Sequence, residues 1–270
     1  MSIIFALKTA VREFLRNRDD IDKIQPPYGS QFNSRVSQKT SQVIANIISD
    51  IDYAFFQVIK DFDSKRRNIY PDAFQPDWID LLYLVGLIKI LSPRKILEMG
   101  SGVSTSAIIF TLTKFSIHTK FVSLDDSKEW GYLTEKIVRN QNSIMGQCNY
   151  EQIISPIEKY LVEGYETVGY SLYPSDVWDF IYVDGPPLFE ADACLDPIRM
   201  NSINDQTVIL IDGRNYNVKL FSKLLKVSNN SNWKLYRLGF PCDDALFINV
   251  KNKNFNNVIN FFEGSLNSKI

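Results

Sequence analysis

Four carboxylates stand at the ends of short β-rich runs: Glu98, Asp125, Asp184 and Asp212. A carboxylate can accept hydrogen bonds from a ribose diol, ligate a hard cation, or take a proton from a hydroxyl. The segment Glu98-Met99-Gly100-Ser101-Gly102-Val103-Ser104-Thr105 joins a predicted strand to a predicted helix. Gly100 and Gly102 permit a tight turn and close approach of a ligand. Backbone donors at the helix start can receive a carboxylate or phosphate. Ser101, Ser104 and Thr105 add hydroxyls as donors or caps.

The turn differs from two familiar phosphate-binding patterns. A dinucleotide fingerprint would place a third glycine where this chain has Thr105, and a P-loop would end in Gly-Lys-Ser/Thr. Asp125 ends the next predicted strand, where a carboxylate can hold both hydroxyls of a ribose. Adjacent Asp126 is read as the cap of the following helix, though the pair can exchange these roles. Gly185 follows Asp184, and Gly213, Arg214 and Asn215 follow Asp212. Arg214 is suited to an anionic substrate group or to pairing with Asp212, and Asn215 is a second candidate substrate contact. His118 precedes a strand on the side away from these loops, so it is a poor candidate for a base.

The elements that must position these residues alternate. Strands are expected at 95–99, 120–124, 150–154, 179–183 and 207–211, with a closing hairpin at 233–238 and 245–250. Helices are expected at 78–91, 104–114, 127–140 and 217–227, and over 188–203 with an interruption at Pro197. This pattern predicts βαβ units and a Rossmann-like α/β fold, a seven-stranded mostly parallel sheet with helices on both faces. Strand ends then share one rim, where ligands bind. Residues 1–75 read as a helical extension or cap, and residues 76–270 as the main domain. Apolar spacing marks one helix over 3–15 and another from Ser41 to about 60, ending in the charged stretch 61–67. The first helix offers a packing face for the main domain or for a second copy of the chain. Gly164 to Pro174, with its tyrosines, reads as a loop beside the pocket.

The chain has 30 basic and 31 acidic residues, for a net charge of −1. That balance gives no sign of a nucleic-acid surface. Three scattered cysteines exclude a disulfide framework, and one histidine excludes a His-rich metal site. The longest apolar run is too short to span a bilayer, and the start lacks the order of a secretory signal. The chain is therefore read as cytoplasmic.

The motif at 98–105 resembles the first motif of class I S-adenosylmethionine-dependent methyltransferases. The runs at 122–130 and 179–185 resemble that family's second and fourth strand ends. The resemblance implies that Gly100 and Gly102 approach the methionine part of the cofactor and that Glu98 neighbours its amino group or organises the turn. It further implies that Asp125 holds the ribose and that the adenine lies near Ser155, Pro156 and Ile157. Asp184 and Asp212 are similar in position to magnesium ligands of metal-dependent O-methyltransferases that act on catechols and macrolide sugars. Gly213 departs from the ligand pattern after the fifth strand. The implied activity is methyl transfer to a hydroxyl of a small molecule, such as a sugar or natural-product intermediate, with Asp184 and Asp212 catalytic. Two alternatives stay open: an NAD-dependent oxidoreductase, and a non-enzymatic binding or assembly protein with a nucleoside pocket.

Overall fold

The computed structural model describes residues 46–47, 50–51, 53–71, 73, 77–140, 148–186, 193–227, 231–238, 244–261 and 266–267. The helix expected over 3–15, the polar stretch 16–38 and all of 188–192 lie outside them. Helix α1 spans Tyr53–Arg67 and α2 spans Trp78–Leu91. Strand β1 (Lys95–Met99), helix α3 (Val103–Lys114), strand β2 (Thr119–Asp125), helix α4 (Lys128–Asn140) and strand β3 (Cys148–Ile154) follow. Next come β4 (Ile157–Val162), β5 (Tyr165–Tyr170), β6 (Phe180–Val183), α5 (Asp196–Arg199), β7 (Val208–Ile211) and α6 (Asn215–Leu224). The chain closes with β8 (Trp233–Leu238), β9 (Ala245–Asn249), α7 (Phe255–Phe261) and the two-residue β10 (Leu266–Asn267).

The main sheet runs β10-β8-β9-β7-β6-β1-β2-β3. Strands β3, β2, β1, β6 and β7 pair in parallel, and β9 inserts antiparallel between β7 and β8. The expected seven strands are present, with β10 added at one edge. Order reverses between β1 and β6, which opens the crevice where α/β sheets bind ligands.

Alternation along the strands sorts the core into two layers. Ile96, Phe121, Phe180, Tyr182, Val208, Leu210, Leu246 and Ile248 face the layer shared with α1 to α4 and α7. Leu97, Met99, Val122, Leu124, Ile181, Val183, Ile209 and Ile211 face α6 and the β4–β5 hairpin. That hairpin, with turn residues Glu163 (φ 49°) and Gly164 (φ 84°), stands where a loop was expected. The helix expected over 188–203 is reduced to the short α5 among the described residues.

Helix α1 extends through the charged stretch expected to end it. Lys65–Asp61, Arg66–Asp63 and Arg67–Asp63 pair at one-turn spacing and sustain the last turn. Phe55, Ile59 and Phe62 are buried with the α2 and α3 core. This part of the N-terminal extension is therefore packed on the sheet domain.

Gly100 ties β1 to β6. Its φ is +96°, and a Cβ there would lie 2.6 Å from the Gly185 nitrogen. Gly100→Ala is expected to cost about 3 kcal/mol through backbone strain and overlap. Urea unfolding checks this, and a midpoint equal to wild type would refute the tight β1–β6 contact.

Candidate functional site

The strand registers build the site. Met99 pairs with Leu124 and Val183, Val183 with Ile211, and Ile211 with Ala245. One step past these pairs, the rim carries Asp125, Gly100, Asp184, Asp212 and Asp244 across five adjacent strands. Glu98 lies one pleat deeper, on the helix-covered face. Of the four carboxylates expected at strand ends, Asp125, Asp184 and Asp212 share this rim, while Glu98 lies beneath it within β1. Asp244 was missed because β9 is antiparallel, so its rim residue precedes the strand instead of following it. Asp80 was missed because it reaches the group from α2. Carboxylate oxygens of Asp80, Asp212 and Asp244 lie within 4.8 Å of one another.

Glu98 is fully buried. Its Oε2 accepts hydrogen bonds of 2.6 Å from the Thr105 and Ser123 hydroxyls, while Oε1 has no hydrogen-bond partner among the described residues. The Ser104 hydroxyl also acts on the carboxyl group. Burial pushes the Glu98 carboxyl up to about 7, against the pull of the Ser104, Ser123 and Thr105 hydroxyls.

Asp125 and the glycine turn are joined directly. Asp125 Oδ2 accepts from the Ser101 amide at 2.9 Å and from its hydroxyl at 2.6 Å. Asp125 Oδ1 accepts from the Ser127 amide at 2.9 Å. The cap expected of Asp126 falls to Ser127, whose Oγ accepts the Trp130 amide at 3.1 Å at the start of α4. Asp126 is only half-buried, and burial raises its carboxyl above the ordinary range. Burial raises Asp125 too, opposed by its bonds to Ser101 and Ser127.

The amides of the turn that precede the helix are engaged by the protein itself. Gly100 N donates to Leu124 O at 2.8 Å, Ser101 N to Asp125, and Gly102 N to Thr105 Oγ1 at 2.9 Å. Trp130 Nε1 donates to Ser101 O at 2.7 Å, and its ring contacts Tyr70 and the Arg66 guanidinium.

Asp184 keeps 41% of its side chain exposed, although protein atoms crowd it on most sides. It lies within hydrogen-bonding reach of Asp212. Burial, then the Asp212 charge, push its carboxyl well above the usual range, against the pull of Arg214. Arg214 does not pair with Asp212. Its guanidinium donates to Asp184 O and, at 2.7 Å, to Pro186 O, and lies 3.7 Å from Asp184 Oδ1. Asn215 Oδ1 accepts from Arg237 at 2.9 Å. Ser155 is buried and accepts the Leu172 amide at 2.7 Å, while Ile157 opens the hairpin. His118 is exposed and stands before β2, as expected.

Of the aromatic candidates, Trp130 and Tyr170 reach the glycine turn. Tyr173 bonds Ser202 at 3.0 Å, Trp178 is buried in the core, and Tyr132 is exposed. A cavity of about 460 Å³ lies away from the acidic rim, lined in part by Tyr165, Tyr216, Lys219 and Lys223. No described helix is long and apolar enough to cross a membrane.

No family model and no curated protein matches the chain. Among solved structures, it is similar to an O-methyltransferase from Bacillus cereus in complex with SAH, at 15% identity and a TM-score of 0.48. That match covers 76% of this chain and 94% of the other. An SAH-bound methyltransferase from Podospora anserina matches at 13% identity and 0.46, covering 79% and 96%. An O-methyltransferase of tomaymycin synthesis from Streptomyces achromogenes, in complex with SAM, matches at 12% and 0.46, covering 74% and 90%.

The raised Glu98 carboxyl sets a pH dependence. Between about 4.5 and about 7, the folded state keeps a proton that the unfolded state releases. Stability therefore falls as pH rises through that window. The shift corresponds to about 3 kcal/mol. Glu98→Gln should remove a loss of that order between pH 4 and pH 8, relative to wild type, in urea unfolding. Equal pH dependence in the two proteins would show that Glu98 is not the group that holds the proton.

Proposed function

We propose that the chain binds S-adenosylmethionine and transfers its methyl group to a hydroxyl of a small molecule. The acidic rim at the β1–β6 crevice carries this reading. S-Adenosylmethionine brings a sulfonium and an ammonium against a single carboxylate, a net positive charge, and a ribose diol that donates hydrogen bonds to carboxylates. The pyrophosphate of NAD would meet the carboxylates of Asp125, Glu98 and Asp184, with the nearest turn amides already engaged. The free Oε1 of Glu98 suits the amino group of the cofactor, directly or through water. Asp125 and its half-buried neighbour Asp126 suit the ribose. Ser101, Ser104 and Thr105 complete the turn, and Ser155 and Ile157 open the segment assigned to the adenine.

Asp184 is the proposed base. Its raised, partly exposed carboxyl matches the need for a proton acceptor at the rim. It takes the acceptor hydroxyl's proton as that oxygen forms a bond to the methyl carbon. The bond from methyl to sulfur breaks, and the sulfur keeps the electron pair as a neutral thioether. Arg214 holds the Asp184 loop and faces the substrate side, with Asn215 at the helix start. Alignment of oxygen, methyl and sulfur supplies most of the remaining acceleration.

The donor set also fits magnesium, which favours hard oxygen ligands. Asp80, Asp212 and Asp244 would hold it, in place of the Asp184–Asp212 pair, because Arg214 already faces Asp184. Bound there, the ion would lower the pKa of an acceptor hydroxyl.

Calorimetry with S-adenosylhomocysteine and with NAD tests the ligand class. Binding of the first and not the second is expected, and the reverse would move the chain to the oxidoreductases. In a methylation screen over hydroxylated small molecules, Asp184→Asn should lower turnover by about 10²–10⁴-fold with S-adenosylhomocysteine affinity retained. Unchanged turnover would remove Asp184 as the base. Loss of turnover on chelation, restored by magnesium, would assign the metal a role in the reaction.

A further inference from the structure

The β4–β5 hairpin delivers one side chain to the crevice from the face opposite the carboxylates. Tyr170 ends β5 and is fully buried. Its hydroxyl has no hydrogen-bond partner among the described residues. A Cβ built on Gly185 would lie 2.6 Å from that oxygen and 2.5 Å from the Gly100 Cα. The phenol oxygen therefore sits against the Gly100–Gly185 contact, where the sheet order reverses. Asp125, Asp126 and Arg214 are close enough to act on it electrostatically.

The tyrosine is held there by a purpose-built clamp. Its amide donates to Asp196 Oδ2 at 2.7 Å, and its carbonyl accepts from Arg199 Nη2 at 3.0 Å. Asp196 is itself buried and paired with Arg199 at 2.7 Å. Gly169 has no side chain because a Cβ there would lie 2.2 Å from Asp196 Oδ1. The clamp fixes the backbone on both sides of the residue, yet no described residue bonds its side-chain hydroxyl. Burying a hydroxyl without a partner is destabilising. A side chain fixed in that state at a ligand crevice is explained by a ligand that completes it.

We propose that Tyr170 is a ligand-contacting residue, its phenol donating a hydrogen bond to the bound adenosyl compound beside Gly100 and Gly185. This rests on the cofactor reading above. Asp196 and Arg199 act through Tyr170 and are positioning residues. The hairpin thus serves as part of the binding site as well as a cover for the sheet.

Tyr170→Phe separates this role from a packing role, because it keeps the ring and removes only the unpartnered hydroxyl. Without ligand, the variant should unfold at the same or a higher urea concentration than wild type. With S-adenosylhomocysteine, calorimetry should show affinity about 5- to 10-fold weaker than wild type. Unchanged or tighter affinity in the variant, with wild type binding normally, would overturn the assignment and leave the cofactor reading intact. A lower unfolding midpoint with normal affinity would make the hydroxyl structural. Failure of wild type to bind S-adenosylhomocysteine would remove the cofactor reading and this contact together.

Discussion

Like charges on one rim are the constraint that organises this molecule. Neighbouring strands lie about 4.8 Å apart. Two ionised carboxylates at that spacing repel by about 3 kcal/mol at an effective dielectric of 20. The rim places Asp184, Asp212 and Asp244 on three successive strands, with Asp80 reaching in from α2. The chain responds differently at each position. Glu98 is set deeper, between two hydroxyls, where it retains a proton to about pH 7. Asp125 is bound by three donors from the turn and the next helix. Asp184 faces the Arg214 guanidinium. Such a rim accepts a cation far more readily than a polyphosphate.

That rim is held from both faces of the sheet. On one face, Trp130 links the extension to the turn. Its ring meets Tyr70 and Arg66 from the α1 region, and its indole bonds the Ser101 carbonyl. Through Trp130, the end of α1 is thus packed against the residue that also bonds Asp125. On the other face, the β4–β5 hairpin, α5 and α6 cover the apolar side of β1, β6 and β7. Cys194 N donates to Asn217 Oδ1 at 2.8 Å, which fastens the segment before α5 to α6.

The strands and their acidic ends were legible because short β-rich runs, buried on both faces, lead into carboxylates in β1, β2, β6 and β7. The sheet order then fixed which ends meet. Asp244 and Asp80 were not legible, since one precedes an antiparallel strand and the other lies in a helix. The hairpin left a signal that went unused: two alternating runs separated by Glu163-Gly164, a pair suited to a two-residue turn with positive φ. The segment was read as a loop because its tyrosines suggested a pocket wall. The roles of Asp125 and Asp126 could not be separated by sequence. Adjacent acids at a strand end both fit a helix cap, yet Ser127 takes that role, and Asp125 turns to the Ser101 and Ser127 amides.

Thr105 joins the departure from the dinucleotide pattern to the chemistry of the site. In that pattern the third glycine allows close helix–strand packing and leaves the turn open toward a pyrophosphate. Here the same position carries a hydroxyl that accepts from Gly102 N and donates to Glu98 Oε2. One side chain thereby removes an amide that a phosphate would need and fixes a buried carboxyl beneath the turn. Restoring glycine would free the amide but strip Glu98 of one of its two bonds, leaving the carboxyl less well satisfied. The threonine and the glutamate are therefore a single device, and it favours a ligand that brings positive charge to the β1 end of the crevice.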